Sequence, residues 1–413
     1  MTAQQQHVPS LATGTDYATL AARFRPIFTR IAQGSLARER ERTLPYEQIQ
    51  WLKEAGFGAV RVPVEYGGAG ASLPQLFELL IELAAADSNI PQALRAHFAF
   101  VEDRLNAQAS APQDIWFKRF VEGDLVGCAW TEVGAVKIGD VLTRVSRLGE
   151  QWVVNGSKYY STGSLYADWI DLFSRRDDTG GDVISLVRTQ QPGVQQQDDW
   201  DGFGQRTTGS GTSVFDNAVV EEENIFDFAT RFKYQTAFYQ LVLLAVISGS
   251  GRAAVQEFAE HALQRTRVFS HGNGDRASDD PQVQQVIGKA SGQVYAAQAA
   301  TVRAAQAAQA AYLAHFGTDA EAERTANIAA ELESAQAQVA VVELVLRATS
   351  DLFNSHSASA TSSGKQLDRH WRNARTAASH NPVIYKERII GDWHINRTEP
   401  PYVWQIGGGA KQG

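Results

Sequence analysis

The chain changes its periodicity twice. Apolar residues recur at helical spacing as far as residue 122, short apolar–polar alternations follow over 124–222, and helical spacing returns over 230–355. Each switch restricts how the chain can bury its apolar side chains. Helices must pack on both sides of a β layer whose strands have no helices between them, which reads as an antiparallel sandwich or barrel. The expected architecture is mainly α with a central β domain: an N-terminal helical domain over 1–123, an antiparallel β domain over 124–229, and a C-terminal bundle with its tail over 230–413. A chain of 413 residues suits two or three such units.

Local signals fix several elements. Asp16 to Ile31 has helical spacing, and Pro45-Tyr46-Glu47 opens a short helix running to about Ala55. Ser72 reads as the N-cap of another, with Pro74 in its first turn. Leu142 to Val154 alternates as a strand does. Asn155-Gly156 is a two-residue hairpin signal that makes Ser157 to Thr162 the return strand. Asp168–Ser174, Asp182–Arg188 and Thr212–Val220 are further strands. Three long helices are expected: Thr236 to Thr266, Pro281 to about Phe316, and Asp319 to about Thr349. The Gly407-Gly408-Gly409 tail reads as loose.

Composition removes whole classes of function. A net charge of −8 argues against a general nucleic-acid binder. The clustered Arg369, Arg372 and Arg375 read better as caps on a subunit interface than as a DNA-binding stripe. One cysteine, Cys128, rules out an internal disulfide framework, and nine histidines without HxxxH or HExxH spacing give no metal site. The polar opening MTAQQQHVPS does not resemble an export signal, and the apolar run near Gln240 to Gly249 is short for a bilayer. A cytoplasmic location is the expectation, with no membrane partner.

Two glycine-rich stretches invite a phosphate reading. Gly249-Ser250-Gly251-Arg252-Ala253-Ala254 fits GxGxxA, but it lies inside a helical run instead of after a strand. It therefore reads as small residues letting helices approach, and no nicotinamide site is expected. Thr208-Gly209-Ser210-Gly211-Thr212 is a hydroxyl-rich turn that either cradles an anion or is simply a turn.

Four stretches, in order along nearly the whole chain, carry a resemblance: Val62-Pro63-Val64-Glu65-Tyr66-Gly67-Gly68; Trp130-Thr131-Glu132 leading to Gly139-Asp140; Asn155-Gly156-Ser157-Lys158-Tyr159-Tyr160-Ser161-Thr162; and Asp280-Pro281 with Gln285 to Gly288. Together they resemble the acyl-CoA dehydrogenase superfamily, implying its helical, β and four-helix-bundle layout and its homotetramer. Two departures narrow the resemblance. Where those enzymes carry a catalytic glutamate, this chain has Thr376-Ala377-Ala378-Ser379-His380-Asn381-Pro382, with no base to remove an α-proton. Where they hold the adenosine half of FAD, it has Asp351 to Ala358, which points to FMN. The run Leu367 to Thr376, continuing to Val383, is similar to the two-component FMNH2-dependent monooxygenases of this fold, the dibenzothiophene monooxygenase group of sulfur-compound oxygenases.

That resemblance implies a reduced-FMN co-substrate made by a separate NAD(P)H:flavin reductase, and oxygenation of a small organosulfur or aromatic substrate through a C4a-(hydro)peroxyflavin. An FAD-dependent acyl-CoA dehydrogenase or a nitro-compound oxidase is the alternative. It also implies site residues. His97, Thr162 and His380 would act on the reacting flavin, and Thr131, Thr162, Trp200, Ser210, Thr212 and Arg267 would bind it. Arg267 would take the phosphate and Trp200 would wall the ring.

Overall fold

The computed structural model describes residues 15–107, 111–134 and 136–403, with 111–113 as backbone only. The opening decapeptide and the Gly407–Gly409 tail lie outside the described residues. Eight helices come first: α1 (Tyr17–Ala22), α2 (Arg25–Gln33), α3 (Ser35–Glu41), α4 (Tyr46–Glu54), α5 (Leu73–Ala86), α6 (Asn89–Ala93), α7 (Arg95–Asn106) and α8 (Ala111–Glu122). The helix expected over Asp16–Ile31 is two helices, broken just before Pro26 at the start of α2. Ser72 caps α5 in a full capping box with Gln75.

Eight strands follow: β1 (Val126–Ala129), β2 (Arg144–Leu148), β3 (Gln151–Lys158), β4 (Trp169–Arg176), β5 (Asp182–Arg188), β6 (Val194–Gln196), β7 (Ser213–Val220) and β8 (Ile225–Asp227). They form one sheet in the order β6-β7-β3-β2-β4-β5-β8, with β1 also on β4. The sheet is mixed, not wholly antiparallel as expected. β1 and β2 succeed each other along one edge of β4, both parallel to it. They run in one direction because the loop 130–143 leaves the sheet and returns without reversing the chain. The hairpin turn also differs. Leu148 pairs with Gln151, so Gly149-Glu150 makes the turn, with Gly149 at φ +63°. Asn155-Gly156 lies inside β3 at a bulge against β7, where a Cβ on Gly156 would stand 2.5 Å from Thr143 Oγ1.

The chain ends in α9 (Gln235–Gln264), α10 (Pro281–His315), α11 (Ala320–Asp351), α12 (Arg369–Ser379) and α13 (Val383–Asn396). Asp280 and Asp319 cap α10 and α11 through their side chains. α9 is the bundle's central helix. By length and composition it could cross a membrane, yet it lies mostly buried within the protein. Its glycines are packing devices, as the sequence implied. A Cβ on Gly249 would stand 2.4 Å from Ala84 of α5, and one on Gly251 would stand 2.9 Å from Val294 of α10.

The arginines of α12 have partners within the chain. Arg369 pairs with Glu257 at 2.6 Å and Arg372 with Glu39 at 2.8 Å, while Arg375 donates to Ser379.

Candidate active site

The loop that leaves the sheet after β1 and the segment that ends β3 lie side by side. Tyr159 N–H donates to Thr131 carbonyl oxygen at 2.9 Å, and Cys128 N–H donates to Thr162 carbonyl oxygen at 3.2 Å. A buried ion pair fastens the two. Lys158 Nζ stands 2.7 Å from Glu132 Oε1 and donates to Trp130 carbonyl oxygen at 3.1 Å. Glu132 also accepts from Leu142 N–H, Thr143 N–H and Thr143 Oγ1. Burial alone would raise its pKa, but Lys158 and these donors hold it below the usual carboxylate range. The two motif residues Glu132 and Lys158 are therefore structural, and together they set Thr131 and Thr162 on one ledge.

Thr162 sits in a chain of hydroxyls. Its Oγ1 lies 2.8 Å from Ser210 Oγ, which lies 2.6 Å from Thr208 Oγ1, and Thr208 donates to Gln205 carbonyl oxygen at 3.0 Å. The sequence placed Thr162 and Ser210 in one site, and the structure brings them together. Thr212 is turned away: its N–H and hydroxyl both go to Asp199 at 2.7 Å. With that carboxylate beside it, this end of the glycine-rich turn is a poor place for a phosphate. Trp200 donates to Gln205 carbonyl oxygen at 2.9 Å and meets Tyr160 edge-on at 5.9 Å, so it buttresses Tyr160. Tyr160 itself is half exposed at φ +60°, a strained backbone setting for a bulky residue, beside both threonines.

The opposite wall comes from helices. Gly163, at φ +80°, lets the Ser161–Ser164 turn pass α6 so closely that a Cβ there would stand 2.0 Å from Ala93 carbonyl oxygen. Gly163→Ala is expected to cost at least about 2 kcal/mol in denaturant unfolding. That contact brings the start of α7 to the ledge. Arg95 Nη2 is 2.9 Å from His380 Nε2, and the guanidinium stands 5.1 Å from the centre of the Tyr239 ring. Tyr239 in turn meets Trp130 at 5.5 Å, and Trp130 donates to Asp171, the partner of Arg231. Asn381 faces His380 and donates to Gln240 Oε1 at 2.8 Å. His380 opens to solvent, but the protein packed around it and then Arg95's charge push its pKa down. The neutral ring accepts from Arg95 at Nε2, which leaves Nδ1–H facing Asn381.

His97 is elsewhere. It is fully buried between Phe98 and Phe120, its Nε2 is 2.8 Å from Gly58 carbonyl oxygen, and its Nδ1 accepts from Val126 N–H at 3.3 Å. Both ring nitrogens are used by backbone, which removes it from the reacting centre. Two residues along a helix is a rotation of about 200°, so Arg95 faces the cleft because His97 faces the core. Arg267 is also displaced. It is exposed beyond the end of α9, whereas Gln240 at the site lies roughly 36 Å back along that helix at 1.5 Å per residue. Within one chain it does not reach Thr162. The sequence did not single out Arg95 or Tyr160, although Tyr160 stood within the Asn155 to Thr162 stretch and Arg95 only two residues before His97.

These residues fit a flavin. Ser161 Oγ and Thr376 Oγ1 are buried without partners around the ledge, beside Thr131 and Thr162. No carboxylate pairs with or hydrogen-bonds to Arg95, Thr162, His380 or Asn381 among the described residues.

Helical domain, sheet and bundle around this ledge define a flavoprotein scaffold. The chain matches the acyl-CoA dehydrogenase N-terminal domain over residues 24–124, the middle domain over 127–218 and the C-terminal domain over 241–384, and it belongs to that superfamily. It is 26% identical over 378 residues to a dibenzothiophene monooxygenase of Mycolicibacterium goodii, covering 86% of this chain and 88% of that one. It is 24% identical over 383 residues to a probable FMNH2-dependent monooxygenase of Pseudomonas putida, covering 91% and 94%. The FMN-bound structure of the Paenibacillus sp. A11-2 enzyme TdsC superposes with a TM-score of 0.82 at 26% identity, over 92% of this chain and 98% of that one.

Proposed function

We propose that this chain is a flavin-dependent monooxygenase that takes reduced FMN from a separate reductase and uses O2 to oxygenate an organosulfur compound. One observation carries the reading: His380, bonded to Arg95, occupies the segment in which a proton-abstracting dehydrogenase needs a carboxylate. The dibenzothiophene monooxygenases and the FMNH2-dependent relative support it. When bound, reduced FMN supplies two electrons and two protons; one oxygen atom of O2 enters the substrate and the other leaves as water.

The chain's own residues do the rest. Thr131, Thr162 and Ser161 hold the polar edge of the ring, and the Thr162–Ser210–Thr208 hydroxyl chain fixes the orientation of that donor. Tyr160 and Trp200 close one side against water, and Trp130 with Tyr239 closes another. His380 keeps a proton on Nδ1 and accepts one hydrogen bond at Nε2. Two further parts of the reading belong together. Arg267 serves the flavin phosphate of a neighbouring subunit in a homotetramer, a role supported by the exposed Leu263, Val268 and Phe269 around it. A reducing, cytoplasmic setting suits the buried free thiol of Cys128.

Anaerobic titration tests this. FMNH2 is expected to bind at least about ten-fold tighter than FADH2, and 18O2 then labels one oxygen of the product. Tight FAD reduced by an acyl-CoA thioester would replace this reading with a dehydrogenase.

A further inference from the structure

Arg38, Arg61, Arg104, Arg231 and Arg369 are buried arginines, and each has a carboxylate: Asp87, Glu102, Asp103, Asp171 and Glu257. Arg95 is as buried as these, at 7% exposed, and has no carboxylate partner among the described residues. Its neighbours are the neutral His380, the Tyr239 ring and the Cys128 thiol, which burial keeps protonated. Its Nε has no partner at all. A guanidinium out of water without a counter-ion is costly, and this protein supplies one at every comparable position except the one that faces the cleft.

A second unmet donor lies in the same network. Asn381 connects His380 to Gln240 Oε1, which leaves Gln240 Nε2 buried and unpaired. A planar fork with its Nε unsatisfied and an unsatisfied amide N–H match an oxyanion with two or three acceptor oxygens. A neutral fused aromatic offers them nothing.

We propose that Arg95, assisted by Gln240, is the specificity determinant for an anionic substrate, an organosulfur compound bearing a sulfinate, sulfonate or carboxylate group. The inference rests on the monooxygenase reading for the location of the cleft, and it names the substrate class of that same site.

Calorimetry on the FMN-loaded protein tests it with benzenesulfinate and its neutral isostere methyl phenyl sulfone. The wild type is expected to favour the anion, and Arg95→Met to lose that preference by about 100-fold while Arg95→Lys keeps part of it. FMNH2 affinity, titrated separately, is expected to stay within about two-fold in Arg95→Met. Equal binding of the two probes by the wild type overturns the proposal without recourse to any variant. A preference that survives in Arg95→Met also overturns it. So does a collapse of FMNH2 affinity with sulfinate binding intact, since the charge would then serve the flavin. An Arg95-dependent preference in a protein that binds no FMN would sustain the anion site while removing the monooxygenase reading.

Discussion

Lys158→Met is expected to lower the stability of the protein by about 3–5 kcal/mol and to abolish retention of FMN. The side chains of Lys158 and Glu132 are 1% and 7% exposed, and they meet at 2.7 Å. Burial alone would drive the lysine towards its neutral form, and the carboxylate opposes that shift. Removing the ammonium leaves Glu132 charged in a mostly buried site, with only the donors of Leu142 and Thr143 to stabilise it. The same ammonium holds Trp130 carbonyl oxygen, so its loss releases Trp130 and Thr131 from the end of β3. Denaturant unfolding and quenching of FMN fluorescence measure the two effects separately. Adding Glu132→Gln to Lys158→Met is expected to recover part of the stability, because the uncompensated charge is then gone. A single variant that costs under about 1 kcal/mol and binds FMN normally would mean that the ledge is held by the sheet alone.

Such a pair shows what kind of information the sequence carried. The spacing of Trp130-Thr131-Glu132 and Asn155 to Thr162 was visible, but the reason the two stretches belong together is a contact across 26 residues. Local signals were legible where local physics rules: Asp280-Pro281 and Asp319 begin the long helices because a side-chain acceptor and a fixed φ act within one turn. The Asn155-Gly156 signal failed because a turn competes with its neighbours. Gly149 supplied the positive φ six residues earlier, and the sheet absorbed the second glycine as a bulge against β7.

The parallel edge of β4 was hidden for another reason. Nothing near β1 or β2 specifies which strand, some 30 or 40 residues later, will accept them. At the site, Thr162 and Ser210 meet as the sequence placed them, but helical phase was not legible. Arg95 and His97 stand two residues apart on α7 and both are buried, so only their contacts tell which of them faces the ledge. Arg267 shows the limit of matching by register, since a motif position does not say whose site it serves.

His97 then becomes a stability element, and an acid titration exposes it. Its folded pKa is pushed down to about 4 by burial, against about 6.5 when unfolded; the Gly58 carbonyl opposes that shift without offsetting it. Above pH 6.5 neither state takes up a proton and the contribution is constant. As pH falls from 6.5 the unfolded chain protonates first, so stability declines until the folded ring protonates near 4, a loss of about 3 kcal/mol from this residue. His370 moves the same way, to about 4, through burial and Arg369's charge. Glu257, against which it packs, has its carboxyl held down to about 2 and adds its own loss only below about pH 4.5. The steepest decline is therefore expected between pH 6.5 and 4, measured as unfolding free energy at each pH. His97→Gln carries no charge at any pH and is expected to flatten that decline by the same 3 kcal/mol, while oxygenating substrate at pH 7 within about three-fold of the wild type. A folded His97→Gln protein that binds FMNH2 but forms no product would return the ring to the chemistry, in spite of its two backbone partners.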